Sequence, residues 1–273
     1  MHLQLDSLMT IVSIATGVLV MGTRSTDAHS WLECTDFRGG QCHGWQRGWD
    51  AQHRDQLMAW AIKGASDTKA PACFPGRQNR GPNNPGFPMA RALPGQTLVF
   101  TYMERNHAVR DKPRPNPGNY SVHWSASTTA DTIKTRADLT RANQLGHDVS
   151  FDDGGCADIG TEPGRVRRPC WGRLTVPKNA APGRHQVVWW WKFARTEGHL
   201  EYTACFDVEV LKPGEKPGDK LPPNEASRWL GNKPLFNPGY GNDWFDYASQ
   251  YTYSAKFKAD VAAGRVAPKQ RVN

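Results

Sequence analysis

The chain has 273 residues, with 34 Lys and Arg against 26 Asp and Glu, for a net charge of +8. Glycine (26) and proline (20) are abundant, tryptophan reaches 11, and few stretches show helical periodicity, which favours an all-β domain with long loops. The six cysteines include no CxxC and no Cys/His pattern of zinc-finger spacing, which removes that class.

Residues 1–28 read as a secretory signal. An apolar run at 8–21 (LMTIVSIATGVLVM) is followed by a polar stretch and the small-residue junction Thr26-Asp27-Ala28. The run is too short to span a membrane. Its leading segment departs from the usual pattern, carrying Asp6 and no Lys or Arg. Cleavage after Ala28 removes 28 of 273 residues and leaves 245, enough for one large domain with a tail. The signal takes Arg24, Asp6 and Asp27 with it, so the remaining chain has a net charge of +9. Basic charge on a secreted chain suits polyanionic polymers, or merely solubility.

The exposed chain then begins HSWLEC, with His29 first. A terminal histidine offers a metal two nitrogens, its α-amine and one from the ring. The amine has a reference pKa of about 7.7–8.0, so a metal can displace its proton near neutrality.

Strands are expected at 97–104 (TLVFTYME), 119–126 (NYSVHWSA), 172–176, 183–193 (GRHQVVWWWKF) and 202–211 (YTACFDVEVL). Each is rich in β-branched or aromatic residues, and turn formers such as Pro94-Gly95 and Pro182-Gly183 bound them. The last alternates as a sandwich strand with one buried face should. Residues 55–64 (DQLMAWAIKG) are the clearest short helix, and 70–94 read as a long loop pinned by Cys73. The fold class is therefore all-β: an immunoglobulin-like β-sandwich with long loops and a few short helices. An even cysteine count in a secreted chain implies three disulfides out of 15 pairings. The economical set is two short staples, Cys34–Cys42 and Cys156–Cys170, and one long closure, Cys73–Cys205.

The domain is expected to occupy 29–211, followed by a linker at 212–223 (KPGEKPGDKLPP) and an aromatic-rich tail at 224–273. The tail reads as a segment laid on the domain surface or as an aromatic platform for sugar rings. The first reading is preferred, because fifty residues bury little core. Trp31, Trp45 and Trp49 have the same two readings, stacking on sugars or internal packing. The triplet at 189–191 reads as core, with Trp31 packing behind the metal. Asn119-Tyr120-Ser121 is a glycosylation sequon.

If His29 is a metal ligand, a second histidine should stand near it on a stiff element. His107 is best placed, where the strongest β-run opens into a loop (MERNHAVRDKPRPNPG). His123 alternates within a strand and reads as a packed residue or a neighbour of the site, and His185 begins a strand. The Asp152-Asp153-Gly154-Gly155 run lacks further calcium-ligand spacing and reads as a turn.

Four segments together resemble the secreted copper-dependent lytic polysaccharide monooxygenases: HSWLEC, the loop histidine His107, GRHQVVWWWKF and EYTACFDVEV. The likeness covers residues 29–211. In that family the first residue of the mature chain is a catalytic histidine, and a second histidine stands at a strand–loop junction. His107, the 79th residue after cleavage, corresponds to it. The late strand with Tyr202, Cys205 and Asp207 fits the family's closing pattern. The resemblance implies one copper held by the His29 amine, a His29 ring nitrogen and His107, with Tyr202 axial. Three nitrogens suit Cu(II) and tolerate Cu(I), whereas zinc would want a fourth protein ligand. It also implies an external electron donor, with H2O2 or O2 as co-substrate, and oxidative cleavage of glycosidic bonds in pectin, chitin or cellulose. The family's Glu or Gln beside the copper has no firm counterpart: Glu197 and Glu201 are near Tyr202, but alternation points Glu201 away from it, and His199 is no better supported.

The expected partner is a polysaccharide surface, with neither nucleic acid nor membrane, and the chain is expected to be an extracellular monomer. One alternative is a secreted copper-binding or transport protein of the same fold that does not oxidise sugar. Another is a metal-free carbohydrate-binding module.

Overall fold

The computed structural model describes residues 30–38, 41–49, 59–82, 87–102, 104, 107, 117–154, 156–157, 166–167, 169–193 and 200–217. The signal segment with His29, the second half of the linker and the aromatic tail lie outside the described residues.

Among the described residues, thirteen strands follow in chain order: β1 (Leu32–Cys34), β2 (Phe37–Arg38), β3 (Gln41–Cys42), β4 (Trp60–Ile62), β5 (Ala90–Ala92), β6 (Thr97–Tyr102), β7 (Asn119–Trp124), β8 (Gln144–Ser150), β9 (Cys156–Ala157), β10 (Val166–Arg167), β11 (Cys170–Thr175), β12 (Gly183–Lys192) and β13 (Glu201–Val210). One layer orders as β1-β6-β11. The other orders as β4-β13-β12-β7-β8, with β5 added in parallel to the far end of β13. The result is a β-sandwich, and its helical content among the described residues is two short 3-10 turns, Arg136–Asp138 and Arg141–Asn143.

The period of two decides what fills the space between the layers. Leu98, Phe100 and Tyr102 face Tyr120, Val122 and Trp124, with Val187, Trp189 and Trp191, and Ala204, Phe206 and Val208 completing the core. Gly172 belongs to this face because it must: a Cβ there would overlap the Tyr120 hydroxyl and the Phe100 ring. Trp190 points the other way, into a smaller cluster with Val188, Cys205, Ile133 and Leu139 beneath a layer of loops. The tryptophan triplet is therefore core on both faces of β12, as its sequence pattern implies.

All five expected strands form, with every end within two residues of the expected position. The helix expected at 55–64 does not hold where it is described: Trp60, Ala61 and Ile62 form β4, paired with Thr203, Tyr202 and Glu201. Hydrogen bonds to an open strand edge outweigh the local preference of a segment that short. The 70–94 loop likewise ends in a strand, β5. The three disulfides are Cys34–Cys42, Cys73–Cys205 and Cys156–Cys170, the economical pairing.

A buried ion network fastens the loop layer. Arg47 donates to both carboxylate oxygens of Asp207 (2.9 and 2.6 Å) and both of Asp131 (2.6 and 2.9 Å). Arg184 adds a bond to Asp207 at 2.6 Å, and Arg80 approaches Asp131 at 3.5 Å. Burial by itself would lower the Arg47 pKa, but the hydrogen bonds it donates to Asp131 and Asp207 outweigh this and hold the guanidinium charged. Asp207, part of the sequence pattern around Tyr202, thus has a structural role on the face of β13 opposite Tyr202.

Candidate metal centre

Leu32 pairs with Tyr102 across antiparallel β1 and β6. Antiparallel pairing sets the residues before Leu32 beside those that follow Tyr102. The chain entry at Ser30 and the exit of β6 towards His107 therefore meet at one end of the sandwich. β11 and β13 begin at that end and β12 finishes there, because Cys170 pairs with Tyr102 and Trp191 with Tyr202.

A set of stacked rings makes this end stiff. Trp191 lies flat against Phe151 at 4.0 Å between ring centres, and its indole N–H donates to the Pro117 carbonyl at 2.8 Å. The Tyr102 hydroxyl donates to the Phe151 carbonyl at 2.6 Å. Two of the three expected site residues rest on this base. The His107 ring sits 5.4 Å from Trp191 and 5.0 Å from Phe193. The Tyr202 ring sits 5.2 Å from Trp191 and 6.4 Å from Phe193. The His107 backbone N–H donates to the Glu104 carbonyl at 2.9 Å, closing the turn that carries it. His107 and Tyr202 thus share one aromatic platform, although 95 positions separate them in the sequence. His29 lies outside the described residues, one position before the buried Ser30.

His107 is buried, at 6% exposure, so it is a packed side chain rather than a free loop residue. Its substitution carries a packing cost on the order of 1–2 kcal/mol. The other histidines weighed from sequence have structural partners. His123 faces the Ser121 hydroxyl (2.9 Å) and the Asn143 side-chain oxygen (2.8 Å), and burial lowers its pKa against the opposing Asn143 bond. Both His185 ring nitrogens meet carbonyl oxygens, of Ser125 and Ala181.

Several other donors among the described residues are committed elsewhere. All six cysteines are in disulfides, so no thiolate remains to ligate a metal. Asp153, Cys156 and Cys170 gather closely, but the two sulfurs bond each other, and the Asp153 oxygens accept from the Cys156 and Trp171 N–H groups. The Asp152 carboxylate accepts from the Gly154 N–H at 2.9 Å, so this run is a turn. Glu201 accepts from Arg136 (2.8 and 2.9 Å) and from Trp190 (3.0 Å), on the face away from Tyr202. Glu197 and His199 lie outside the described residues.

Two carboxylates that sequence did not single out stand at the site end of β1 and β6. Glu33 accepts from the Trp31 indole at 2.8 Å, and Glu104 is fully buried in the His107 turn. A charged residue inside an otherwise apolar strand start was the available signal for Glu33. Trp31, Trp45 and Trp49 are all buried, which favours packing over sugar stacking for each.

No protein-family model and no curated protein matches the sequence. Among solved structures, the chain is similar to an AA10 lytic polysaccharide monooxygenase from Streptomyces lividans, at 15% identity over 67% of this chain and 100% of that one, with a TM-score of 0.36. It is similar to a Bacillus amyloliquefaciens CBM33 protein in complex with Cu(I), at 10% identity over 67% and 100% of the two chains, with a TM-score of 0.36. It is also similar to the extended catalytic domain of an H. jecorina lytic polysaccharide monooxygenase, at 15% identity over 69% and 76%, with a TM-score of 0.34.

Proposed function

We propose that this protein is a secreted copper-dependent polysaccharide monooxygenase, in which the His29 amine, a His29 ring nitrogen and His107 would hold the metal, with Tyr202 beside them. The observation that supports this reading is the meeting of His107 and Tyr202 on the Trp191–Phe193 platform, at the end where the chain enters one residue after His29. The donor chemistry fits: amine and imidazole nitrogens with a phenol suit copper, and no thiolate competes. Three disulfides accord with an oxidising compartment. Cleavage after Ala28 is part of the proposal, because only a free amine at His29 completes the set.

When bound, copper supplies one-electron redox chemistry that lets a co-substrate oxidant, H2O2 or O2 with an external donor, hydroxylate a C–H bond beside a glycosidic oxygen. The chain's own residues hold geometry. Trp191 and Phe193 fix the His107 ring, the Glu104–His107 turn fixes its backbone, and Tyr202 presents its phenol from a strand paired on both sides. The expected substrate is a structural polysaccharide: pectin, chitin or cellulose. Mass spectrometry of products from a polysaccharide panel, incubated with copper, ascorbate and the chain starting at His29, tests the reading. Oxidised oligosaccharides are expected. Tight copper binding with no oxidised product from any polymer would favour the copper-carrier reading instead.

His107→Ala should abolish the paramagnetic resonance pattern of a three-nitrogen copper site, whereas His123→Ala should leave it unchanged. Thermal melts separate the packing cost of the first substitution from ligand loss. The reverse behaviour of the two variants would exchange their roles.

Tyr202→Phe should keep copper bound with only a modest change in spectrum and redox potential. The ring packing on Trp191 survives this substitution, and the three proposed nitrogens would carry most of the affinity. Complete loss of copper from Tyr202→Phe would make the phenol a primary ligand.

A further inference from the structure

A cavity of about 240 Å³ opens on the opposite face of the second sheet, where the loops around residues 45–49, 77–82 and 87–89 cover β12 and β13. Asp207, in its wall, is five residues along β13 from Tyr202, about 16 Å at strand rise, and on the other face. The cavity is therefore separate from the candidate metal centre.

Its charge is unbalanced. Three guanidinium groups line it, those of Arg47, Arg77 and Arg184, against one carboxylate, Asp207, and the adjoining Asp131 is paired with Arg47 and Arg80. Arg47 occupies both carboxylates, and Arg184 and Arg80 take what remains. Arg77 lines the cavity and makes no side-chain hydrogen bond or ion pair with any described residue. Its Nε is buried without a partner, as is that of Arg184. A partly buried guanidinium with no counter-charge is costly, and an entering anion relieves that cost. The backbone is built around this side chain: Gly48 has φ +64°, and a Cβ there would overlap the Arg77 carbonyl and come within 2.8 Å of its Cγ.

Beside the polar Gln46 and Asn79, the wall carries the apolar, largely aromatic side chains of Trp45, Trp49, Phe87 and Met89, with Trp45 and Phe87 edge to face at 5.7 Å. The volume is below the roughly 300–1,000 Å³ of drug-sized sites, so it suits a body of one ring. We propose that this cavity binds a small aromatic carboxylate, its carboxylate on Arg77 and its ring against Trp45 and Phe87. The inference goes beyond the copper reading and does not rest on it.

The test is a titration of benzoate into the metal-free chain starting at His29, followed by broadening of the benzoate ring protons. Because no metal is present, its failure leaves the copper proposal untouched. Benzoate should bind with a Kd on the order of 1 mM, as expected of a one-ring ligand with one charged contact. Arg77→Gln should weaken it at least about tenfold, since a charge-assisted bond is lost, and Arg77→Lys should restore part of the affinity. Arg77 has no structural partner to lose, so both variants should melt with the parent. Glucuronate binding as well as benzoate would overturn the aromatic assignment, and phosphate binding as well as benzoate would overturn the role of the wall. No benzoate binding, or equal binding by Arg77→Gln, would overturn the site itself.

Discussion

A chain that keeps Ala28 in front of His29 is expected to bind copper at least about 100-fold more weakly than one that begins at His29, a loss of about 3 kcal/mol or more. The added residue turns a basic amine into an amide, which is a poor neutral donor, and leaves the imidazole and the fold unchanged. Of the three proposed nitrogens it removes one, and it also breaks the chelate that the amine and ring of a single residue would form. Calorimetric titration of the two forms checks this. Equal affinities would remove the two-nitrogen role of His29 and with it the need for cleavage after Ala28. The effect is selective: heat stability of the two metal-free forms should agree, because the change lies one position before Ser30 and touches none of the described core.

Arg47→Ala is expected to cost about 3–5 kcal/mol of folding stability, the range for breaking a buried ion pair by removing one partner. Arg47 holds four carboxylate oxygens at 2.6–2.9 Å, its side chain is 4% exposed and that of Asp207 is 3% exposed. Its loss leaves Asp207 with Arg184 alone, and detaches the 45–49 loop from β13 except for backbone bonds such as Arg47 N–H to the Cys205 carbonyl at 2.8 Å. Denaturant unfolding measures the loss, and a change under about 1 kcal/mol would show that Arg184 and water replace the pairing.

The same network sets an acid limit. Burial pushes the Asp131 pKa up, but the hydrogen bond and charge of Arg47 outweigh this and bring it below its ordinary 3.8. A carboxylate lowered by folding stabilises the protein above its unfolded pKa. That contribution is lost as pH falls through about 3.8 towards the folded value. In Arg47→Ala the dependence of stability on pH below about 4 should therefore flatten. Asp131 is partly exposed, so its share of the total is small.

What the sequence by itself determined is local and periodic. The alternation in 202–211 and the run GRHQVVWWWKF place β13 and β12 and assign their buried faces, because a strand's period of two is written directly in its residues. The cysteine spacings lead to the three observed pairs because two short loops close cheaply and leave one long one. His107 was singled out at a strand exit and Tyr202 through the family resemblance; the structure brings their rings onto one platform, and their role at a metal is a proposal.

Tertiary structure alone decided what depends on partners distant in sequence. Trp60–Ile62 carries a helical pattern and becomes an edge strand because β13 has unpaired hydrogen-bonding groups to offer. β1 is three residues long, too short for any period to show. Nothing along the chain joins Arg47 to Asp131 and Asp207, 84 and 160 residues away, and only folding brings the three together. Arg77 differs from its neighbouring arginines only because the two nearby carboxylates are already taken. That inequality is made by packing, since a low-dielectric interior makes each ion pair exclusive, and no local sequence signal carries it.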